Sequence, residues 1–531
     1  MGMAVSLMVA MVSPCPLRAA DAFEVQLDGV VIPMSIEDLT DWGRSGGRSN
    51  TELGVWLDLL DPASRAGVLE LLNAPLITDR SMARQMLNSW PGRRLLDGVA
   101  DLVRVDDDTD GSTVFSTLDA LLNSQATVSS LDLLEALPAQ RVRLDLDALL
   151  DVAGHWRDQL QRQQRLVMAL DQVRPQTVQS RSVGSEASSS RDPLRRALSV
   201  RHRDRPLDLQ FWLPPSTPGH GTPGGNSDPP AWVVLMPGLG GTPDHFRWLG
   251  RLLSDHGWPV VVLDHPGSDS QAVGAWLEGR RLPPGAEVLP DRLQDLNAVL
   301  QAQADDRLPV RGEQVVLIGH SMGALTALLA TGLQPQPGLE RRCRQALEAL
   351  PLANLSRLLQ CQLTRVDLPR IVPAQPLAAV VTLNGFGSLL WPHRRPGRLP
   401  VPALYTGGTL DLITPPLDEQ LHLLGTTASS EGSAVVLIEG ASHFSPIRVE
   451  DAIVSGRDND LFNLGEEFVG VQPREVQALL GDEILAFLKQ RQPEDAVSST
   501  PEAPPHRHRQ VGLLHVHRLT PAGAMALLDE L

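Results

Sequence analysis

Several residue types are scarce in this chain. Its 531 residues include three cysteines, one tyrosine and only 4% aromatics, and Lys489 is the sole lysine. Three cysteines cannot knit together a chain of this length. Folding must rest on an apolar core, for which 42% hydrophobic content is ample, and the length implies two or more domains. With 46 basic residues and one lysine, nearly all positive charge is arginine, a compositional bias rather than a functional signal. Basic excess is missing as well: 63 acidic residues leave a net charge of −17, which excludes generic nucleic-acid binding. Beyond the extreme N-terminus, no stretch is long and apolar enough to span a bilayer. No internal repeat is evident. The N-terminal third offers no nucleophile, metal cluster or phosphate loop.

What is present centres on Gly319-His320-Ser321-Met322-Gly323. An apolar run, Gln314 to Ile318, precedes it and reads as a buried strand. Ala324 to Ala330 follows and reads as a buried helix. A G-x-S-x-G turn between strand and helix lifts a serine hydroxyl clear of a sheet and aims the first free helix N–H groups at the same point. Ser321 is the candidate nucleophile. His320, with its backbone direction fixed by the turn, reads as packing or pocket lining. Upstream, Ala231 to Met236 is a strand-length run followed by Pro237-Gly238-Leu239-Gly240-Gly241-Thr242. Tetrahedral oxyanions need two converging N–H donors. Met322 and Leu239 are the candidates, with Gly240 as substitute for Leu239.

A serine nucleophile needs a base, and the base an orienting carboxylate. Val401 to Gly408 reads as a strand and turn leading to Asp411. Ser433 to Glu439 reads as the next strand, leading to Gly440-Ala441-Ser442-His443. Asp411 and His443 therefore fall on loops at successive strand ends, in the order Ser, Asp, His. Asp418, Asp264 and Asp269 are weaker acid candidates. Asp264 and His265 end the strand Pro259 to Leu263 and are expected on the pocket rim.

These motifs, with His265-Pro266-Gly267-Ser268 and Leu383-Asn384-Gly385, make the segment 194–490 resemble an α/β-hydrolase. In detail it is similar to a cyanobacterial group whose hydrolase part resembles dienelactone hydrolases and plasma-type platelet-activating-factor acetylhydrolases. The stretch from Phe23 to Trp156 resembles the domain of unknown function that accompanies that hydrolase. The resemblance implies a mostly parallel central sheet with flanking helices, preceded by a small all-α N-terminal domain, and a lipid or small apolar ester as substrate. Two departures bear on it. Dienelactone hydrolases use a cysteine where this chain has Ser321, which favours ordinary ester chemistry. The acetylhydrolases take their acid after the strand that follows the elbow, but here that strand, Leu377 to Leu383, ends in Asn384. An amide cannot stabilise an imidazolium by charge, so the acid is assigned to Asp411. Pro237 also stands where many relatives have a histidine.

The remaining organisation reads as follows. Residues 1–22 combine a short apolar core with Ala20-Asp21-Ala22 and read as a cleaved export signal. Residues 23–175 form the helical domain. It opens with a small hairpin at Asp28-Gly29, a cap at Ser35 with Asp38, and a helix start at Asp61-Pro62. Further helices are expected from Asp79 and over 113–122, 130–137 and 145–173. This domain is expected to pack beside the hydrolase or act as a cap over it. Residues 176–193 read as a linker, 214–230 as a Pro/Gly-rich loop, and 333–376 as a helical insertion walling the pocket. Cys343 and Cys361 lie in that insertion, as a disulfide or as two buried thiols. The catalytic domain ends with a helix over 475–490. Residues 491–531 read as a low-complexity tail, disordered to Arg509; His506 and His508 suggest metal binding but read rather as solvated, since no Cys or second His cluster completes a site, and the last twenty residues offer a strand and a helix.

The sequence thus points to an exported serine carboxylester hydrolase with no cofactor and no metal. Its expected partner is a small-molecule or lipid ester, with peripheral contact to a membrane compatible with the lipid case. Other acyl chemistry on the same triad (thioester, lactone or peptide cleavage) and a non-catalytic binding protein on the same fold remain as alternatives.

Overall fold

A computed structural model describes residues 22–531 except 28, 49–50, 52–53, 56–61, 74, 78–88, 109–110, 126–127, 175, 178–190, 216–230, 349–353, 393–398, 428–431, 448–471 and 491–503. The expected export signal, most of the linker, the Pro/Gly-rich loop and the helix after Asp79 lie outside the described residues. Among the described residues, no helix is long and apolar enough to cross a membrane. The chain divides into two compact units, Met1–Ala153 and Gly154–Leu531, with the division inside the helix Leu146–Leu170.

The first unit is not all-helical, which corrects the expectation from its sequence. Its hairpin, Ala22–Leu27 with Val30–Met34, turns at Gly29 as read. It continues into a four-stranded sheet. Arg141–Asp145 pairs parallel to the first strand and antiparallel to Val103–Val105. The cause is local. Arg141-Val142-Arg143-Leu144 alternates polar and apolar residues, with Val142 fully buried. Glu24 and Arg143 face each other across the strands, 2.9 Å apart. Phe23, Val25, Trp42, Val105, Leu137 and Val142 build the core between this sheet and the helices Ile36–Arg44 and Ser130–Ala136. Ser35 caps the first helix through Asp38 N–H at 3.2 Å.

The second unit is built on ten main strands: β1 Leu194–Leu198, β2 Leu207–Trp212, β3 Ala231–Met236, β4 Val260–Leu263, β5 Gln314–His320, β6 Leu377–Leu383, β7 Ala403–Gly408, β8 Ala434–Ile438, β9 His506–Val511 and β10 Leu514–Leu519. Their order across the sheet is β1-β2-β4-β3-β5-β6-β7-β8-β10-β9, with the short strand Gln176–Thr177 beyond β9. Strands β4, β3, β5, β6, β7 and β8 run parallel, and antiparallel strands close both edges. The parallel strands are near-continuous apolar runs because helices cover both faces of the sheet. Their alternation divides the core. Val234, Met236, Leu317, Val380 and Leu437 face α3 (Leu289–Ala304), α4 (Met322–Ala330) and α7 (Gln420–Thr427). Val233, Leu235, Ile318, Val381 and Val436 face α1 (Arg247–Asp255) and α8 (Pro473–Lys489).

The expected low-complexity tail is also corrected. Residues 506–519 form a hairpin that joins the main sheet at β8, and α9 (Pro521–Glu530) packs against α7 and the sheet. The strand His506-Arg507-His508-Arg509 escaped notice because its inward positions are histidines rather than aliphatics. His508 and His517 are buried. The insertion is helical as read, with α5 Leu339–Ala346 and α6 Ser356–Gln362.

Cys343 and Cys361 are joined between α5 and α6, with their Cα atoms 5.4 Å apart. Closing an 18-residue separation stabilises a chain by about 3 kcal/mol in the chain-entropy account. Replacing both cysteines by serine is expected to lower the urea-unfolding free energy by about that amount. Intact-mass analysis of the wild-type chain under non-reducing conditions should show no free thiol at either position. Two alkylatable thiols in the folded protein would refute the bridge.

Candidate active site

All the candidate side chains sit on loops at the C-terminal edge of the parallel strands. The tightest of these turns joins β5 to α4. Ser321 occupies it with φ 52° and ψ −117°, outside the ordinary helical and extended regions. Two glycines permit it. A Cβ on Gly319 would run into the backbone of Gly323 and Ala324, and a Cβ on Gly323 would run into the carbonyl of Met236. The turn is therefore pressed against the end of β3. Ser321 N–H donates to Leu383 O at 2.9 Å, which ties the turn to β6 on the other side.

The contact with β3 also brings the Pro237–Gly241 loop to the serine. A Cβ on Gly238 would meet His320 Nδ1 at 2.9 Å and Ser321 Cβ at 3.0 Å. Leu239 N–H, next along, makes no hydrogen bond among the described residues. Met322 N–H is in the first turn of α4, where no intrahelical acceptor precedes it. Gly240 does not fit the substitute role. Its N–H already donates to Ser268 O at 2.8 Å, because its left-handed backbone (φ 72°) turns the amide into the protein.

Asp411 lies three residues past β7 and is fully buried. Its Oδ2 lies 2.9 Å from His443 Nδ1. Five donors converge on the carboxylate. Ile413 N–H and Thr414 N–H donate to Oδ1 at 2.9 and 2.8 Å, and Asn384 Nδ2 and Thr414 Oγ1 donate to Oδ2 at 2.8 and 2.6 Å, beside His443. Burial pushes the carboxyl up, but the His443 ring and these hydrogen bonds outweigh it and hold the group at about 2. It is ionised at neutral pH. Thr414 and Asn384 were not recognised as supports in the sequence. Thr414 was readable from its spacing, because an Asp followed three residues later by Thr closes a local side-chain turn. Asn384 stands in a left-handed conformation (φ 49°) at the end of β6 and serves as a donor to the acid.

His443 and Ser321 are both buried, and His320 lies beside the base. His320 Nε2 bonds His443 O at 2.9 Å, and the two rings are 4.9 Å apart. Among the described residues, no hydrogen bond links Ser321 Oγ to His443. Burial, with the neighbouring His443 second, lowers His320 to about 3, so it is neutral and acts as packing, as read.

The other acids lie elsewhere. Asp418 pairs with Arg357 and Arg162. Asp269 caps α2 (Ser270–Leu277) through Ala272 N–H at 2.8 Å. Asp264 is half-buried, and desolvation followed by repulsion from Asp269 and Asp208 pushes it up to about 7. His265 is buried rather than on a rim, because it belongs to a charged interior. Asp295 of α3, with no exposed side-chain surface, accepts from Arg203 Nε and Nη2 at 2.7 Å and contacts His202 Nε2 at 2.7 Å and His265 Nδ1 at 2.9 Å. Desolvation, then the charge of Arg292, lowers His265 to about 4. Arg292, one turn earlier on α3, donates to Ser268 Oγ at 2.7 Å and to Pro237 O. Burial lowers it to about 9, and it remains cationic at neutral pH. Its reach to Pro237 anchors the loop that carries Leu239. Nothing in a helix-face pattern distinguishes such an arginine from a surface one.

A mostly parallel sheet covered by helices on both faces, with a serine on the strand-to-helix turn and an Asp–His pair on later loops, defines an α/β-hydrolase domain. Comparison with known families agrees. Residues 233–455 match the model described as "Alpha/beta hydrolase family". Residues 19–145 match "Alpha/beta hydrolase of unknown function (DUF1400)". The chain carries an alpha/beta hydrolase domain. Distant curated relatives include Cutinase 2 of Thermobifida cellulosilytica, 24% identical over 220 residues (40% of this chain and 60% of that one). Cutinase cut1 of Thermobifida fusca is likewise 24% identical over 220 residues, with 40% and 50% covered. The chain thus spans little more than half the length of the relatives it matches.

The buried neutral histidines set the acid stability. Unfolded, His265 and His320 take up protons below about 6.5, but folded they resist until about 4 and about 3. For these two groups the unfolded state binds more protons in that window, so their contribution is fully present above pH 6.5 and is lost as pH falls toward 4; Asp264, held at about 7, opposes one of them, because the folded state keeps a proton that the unfolded carboxylate sheds. Asp411 adds a lower window, between its unfolded value near 3.8 and about 2. Unfolding free energies from urea titrations are expected to fall below pH 6.5, by up to about 1.4 kcal/mol per pH unit for each histidine, with Asp264 offsetting one of them. His265→Gln should flatten the slope. A midpoint independent of pH from 7 to 4 would contradict this account.

Proposed function

We propose that the chain is a serine carboxylester hydrolase acting through an acyl-enzyme. Ser321 Oγ attacks the ester carbonyl while His443 Nε2 takes its proton. Asp411 fixes the ring through Nδ1 and stabilises the imidazolium. The N–H groups of Met322 and Leu239 receive the oxyanion. His443 then returns its proton to the leaving alcohol, and water activated by the same ring clears the acyl group. The observation that carries this reading is the 2.9 Å Asp411–His443 bond, on a fully buried, five-donor carboxylate, next to the strained turn of Ser321. A serine hydroxyl rotates freely, and such hydrogen bonds tighten in the substrate complex.

Apolar esters are the substrate class we favour. Leu410 and Leu412 flank the acid and are 53% and 37% exposed. Leu355 of the insertion, 39% exposed, comes beside them through the Ser356 N–H bond to Ile413 O at 2.9 Å. Phe444 packs edge-on against His443. The names of the distant cutinase relatives point the same way. Export is also proposed, since the Cys343–Cys361 bridge suits an oxidising compartment.

The test is labelling by a fluorophosphonate probe together with hydrolysis of p-nitrophenyl esters. Wild type should label once per chain, and Ser321→Ala should abolish both labelling and turnover. Asp411→Asn should lower kcat by about 10⁴ with the fold intact, since an amide leaves the wrong imidazole tautomer. Thr414→Val, which removes one of five donors, should cost about tenfold. Activity should rise from acetyl to octanoyl esters. A folded chain that resists the probe would overturn the enzymatic reading, and a profile flat with chain length would remove the apolar preference alone.

A further inference from the structure

The C-terminal hairpin carries a feature that ester hydrolysis does not use. His508 on β9 stands directly opposite His517 on β10, so both side chains lie on one face of the sheet, with their ring centroids 4.0 Å apart. His506 and His515 share that face by the two-residue alternation. His508 is 2% exposed and His517 fully buried. Two carboxylates meet them. Glu439, just past β8, places Oε1 2.6 Å from His517 Nε2. Asp171 follows the helix Leu146–Leu170, where His508 Nδ1 approaches Val173 O at 2.6 Å. One ligand atom from each of Asp171, Glu439, His508 and His517 can be chosen so that all four lie within 4.8 Å of one another.

We propose that these four residues form a binding site for a divalent transition-metal ion of the zinc type, in which the ion pins the hairpin and the helix end to the catalytic sheet. Two nitrogens and two oxygens are a donor set that a borderline dication accepts in tetrahedral geometry. At metal–ligand distances of about 2.1 Å, tetrahedral donors lie about 3.4 Å apart. Reaching that spacing draws the exposed Asp171 side chain inward and parts Glu439 Oε1 from His517 Nε2, which are 2.6 Å apart without the ion. The nitrogens that would ligate are His517 Nε2, facing Glu439, and His508 Nδ1, facing the 171–173 turn. Their opposite nitrogens are already occupied: His506 Nε2 is 3.2 Å from His517 Nδ1, and His515 Nδ1 is 2.9 Å from His508 Nε2. A second partner on the far side of each ring is the arrangement that orients ligating histidines.

Burial, then the neighbouring His517, lowers His506 to about 4, and burial also lowers His508. Glu439 is held below the usual carboxylate range by its bond to His517, against its burial. In the ion-free chain His508 Nδ1 and His517 Nε2 point their protons at Val173 O and Glu439 Oε1, so an ion binds as each ring moves its proton to its other nitrogen, toward His515 and His506. The rest of this sheet is filled by Val, Leu and Ile, and a pair of aliphatics at 508 and 517 would fill the same space.

The test uses the full chain without an affinity tag, stripped with chelator and dialysed. Zn²⁺ uptake is followed by calorimetry and elemental analysis, and Co²⁺ by its visible absorption, which reports coordination number. One ion per chain is expected, with a tetrahedral Co²⁺ spectrum and a melting temperature that climbs with free Zn²⁺. Asp171→Asn, at an exposed position that leaves the fold alone, should weaken binding at least about tenfold. His517→Gln should abolish it. If His517→Gln fails to fold, Asp171→Asn decides by itself. A wild-type chain that takes up neither ion, or one whose uptake and melting shift are unchanged in Asp171→Asn, overturns the proposal and leaves a hydrogen-bonded histidine stack. None of these readouts depends on ester hydrolysis.

Discussion

The second unit is organised around a place where no Cβ fits. Gly319 and Gly323 let the β5–α4 turn press on itself and on the carbonyl end of β3. That contact has two consequences. It forces Ser321 into a left-handed conformation, a strain on the order of 1–3 kcal/mol that only a well-packed surround sustains. It also fixes the distance between the serine and the loop after β3. The surround is the most apolar part of the protein: every residue of β3, and every residue of α4, is buried. Steric exclusion of side chains, rather than any attractive contact, thus sets where the hydroxyl stands.

The loop after β3 needs its own support, and it comes from buried charge. Arg292 has no exposed surface, yet it reaches Pro237 O and Ser268 Oγ, and one turn later Asp295 gathers Arg203, His202 and His265. Removing such groups from water costs several kcal/mol each, and an apolar cluster would be at least as stable. What the charged cluster supplies instead is direction. Aliphatic side chains hold a loop by shape, whereas a guanidinium on a carbonyl fixes the orientation of one peptide. Because Pro237 lacks an N–H and Gly240 N–H is turned toward Ser268, Leu239 N–H keeps an orientation free of competing acceptors.

How much of this was legible in the sequence follows from which signals are local. The parallel strands read correctly because helices on both faces make them unbroken apolar runs, and the elbow read correctly because its G-x-S-x-G pattern is local and Gly319 is required by a contact within five residues, although Gly323 answers to the distant Met236. The order of Ser321, Asp411 and His443 along the chain needed no tertiary information. The failures have a common cause. Arg141–Asp145 carries a local alternation, but over too few residues to stand out, and it is completed by two partner strands that lie far off in the sequence. His506–Arg509 looks like a polar tail because its inward residues are histidines and its outward ones arginines, two of which, Arg507 and Arg509, alternate with them toward Glu483. Arg292 and Asp295 sit on a helix that is otherwise ordinary. In each case the partners come from distant segments, and in the last two a polar residue occupies an interior position, which a hydrophobic pattern cannot register.

The same logic governs the wall of the site. The insertion could have been a loose flap, but Glu419 prevents this. Its fully buried carboxylate accepts from Asn354, Ser356 and Gln360 of the insertion and from Gly387 and Ser388 after β6. Glu419 lies in the turn that links the Asp411 loop to α7. One carboxylate therefore couples the wall, the end of β6 and the acid loop, and the disulfide fastens α6 to α5 behind them. The exposed leucines 355, 410 and 412 ride on segments that cannot move independently of the acid. An apolar group docking on them meets a surface already ordered, so its burial is not offset by the entropy of closing a lid. On the ester-hydrolase reading proposed above, selectivity for such groups rests on the shape of the wall, and the polar residues beneath it act by holding that shape.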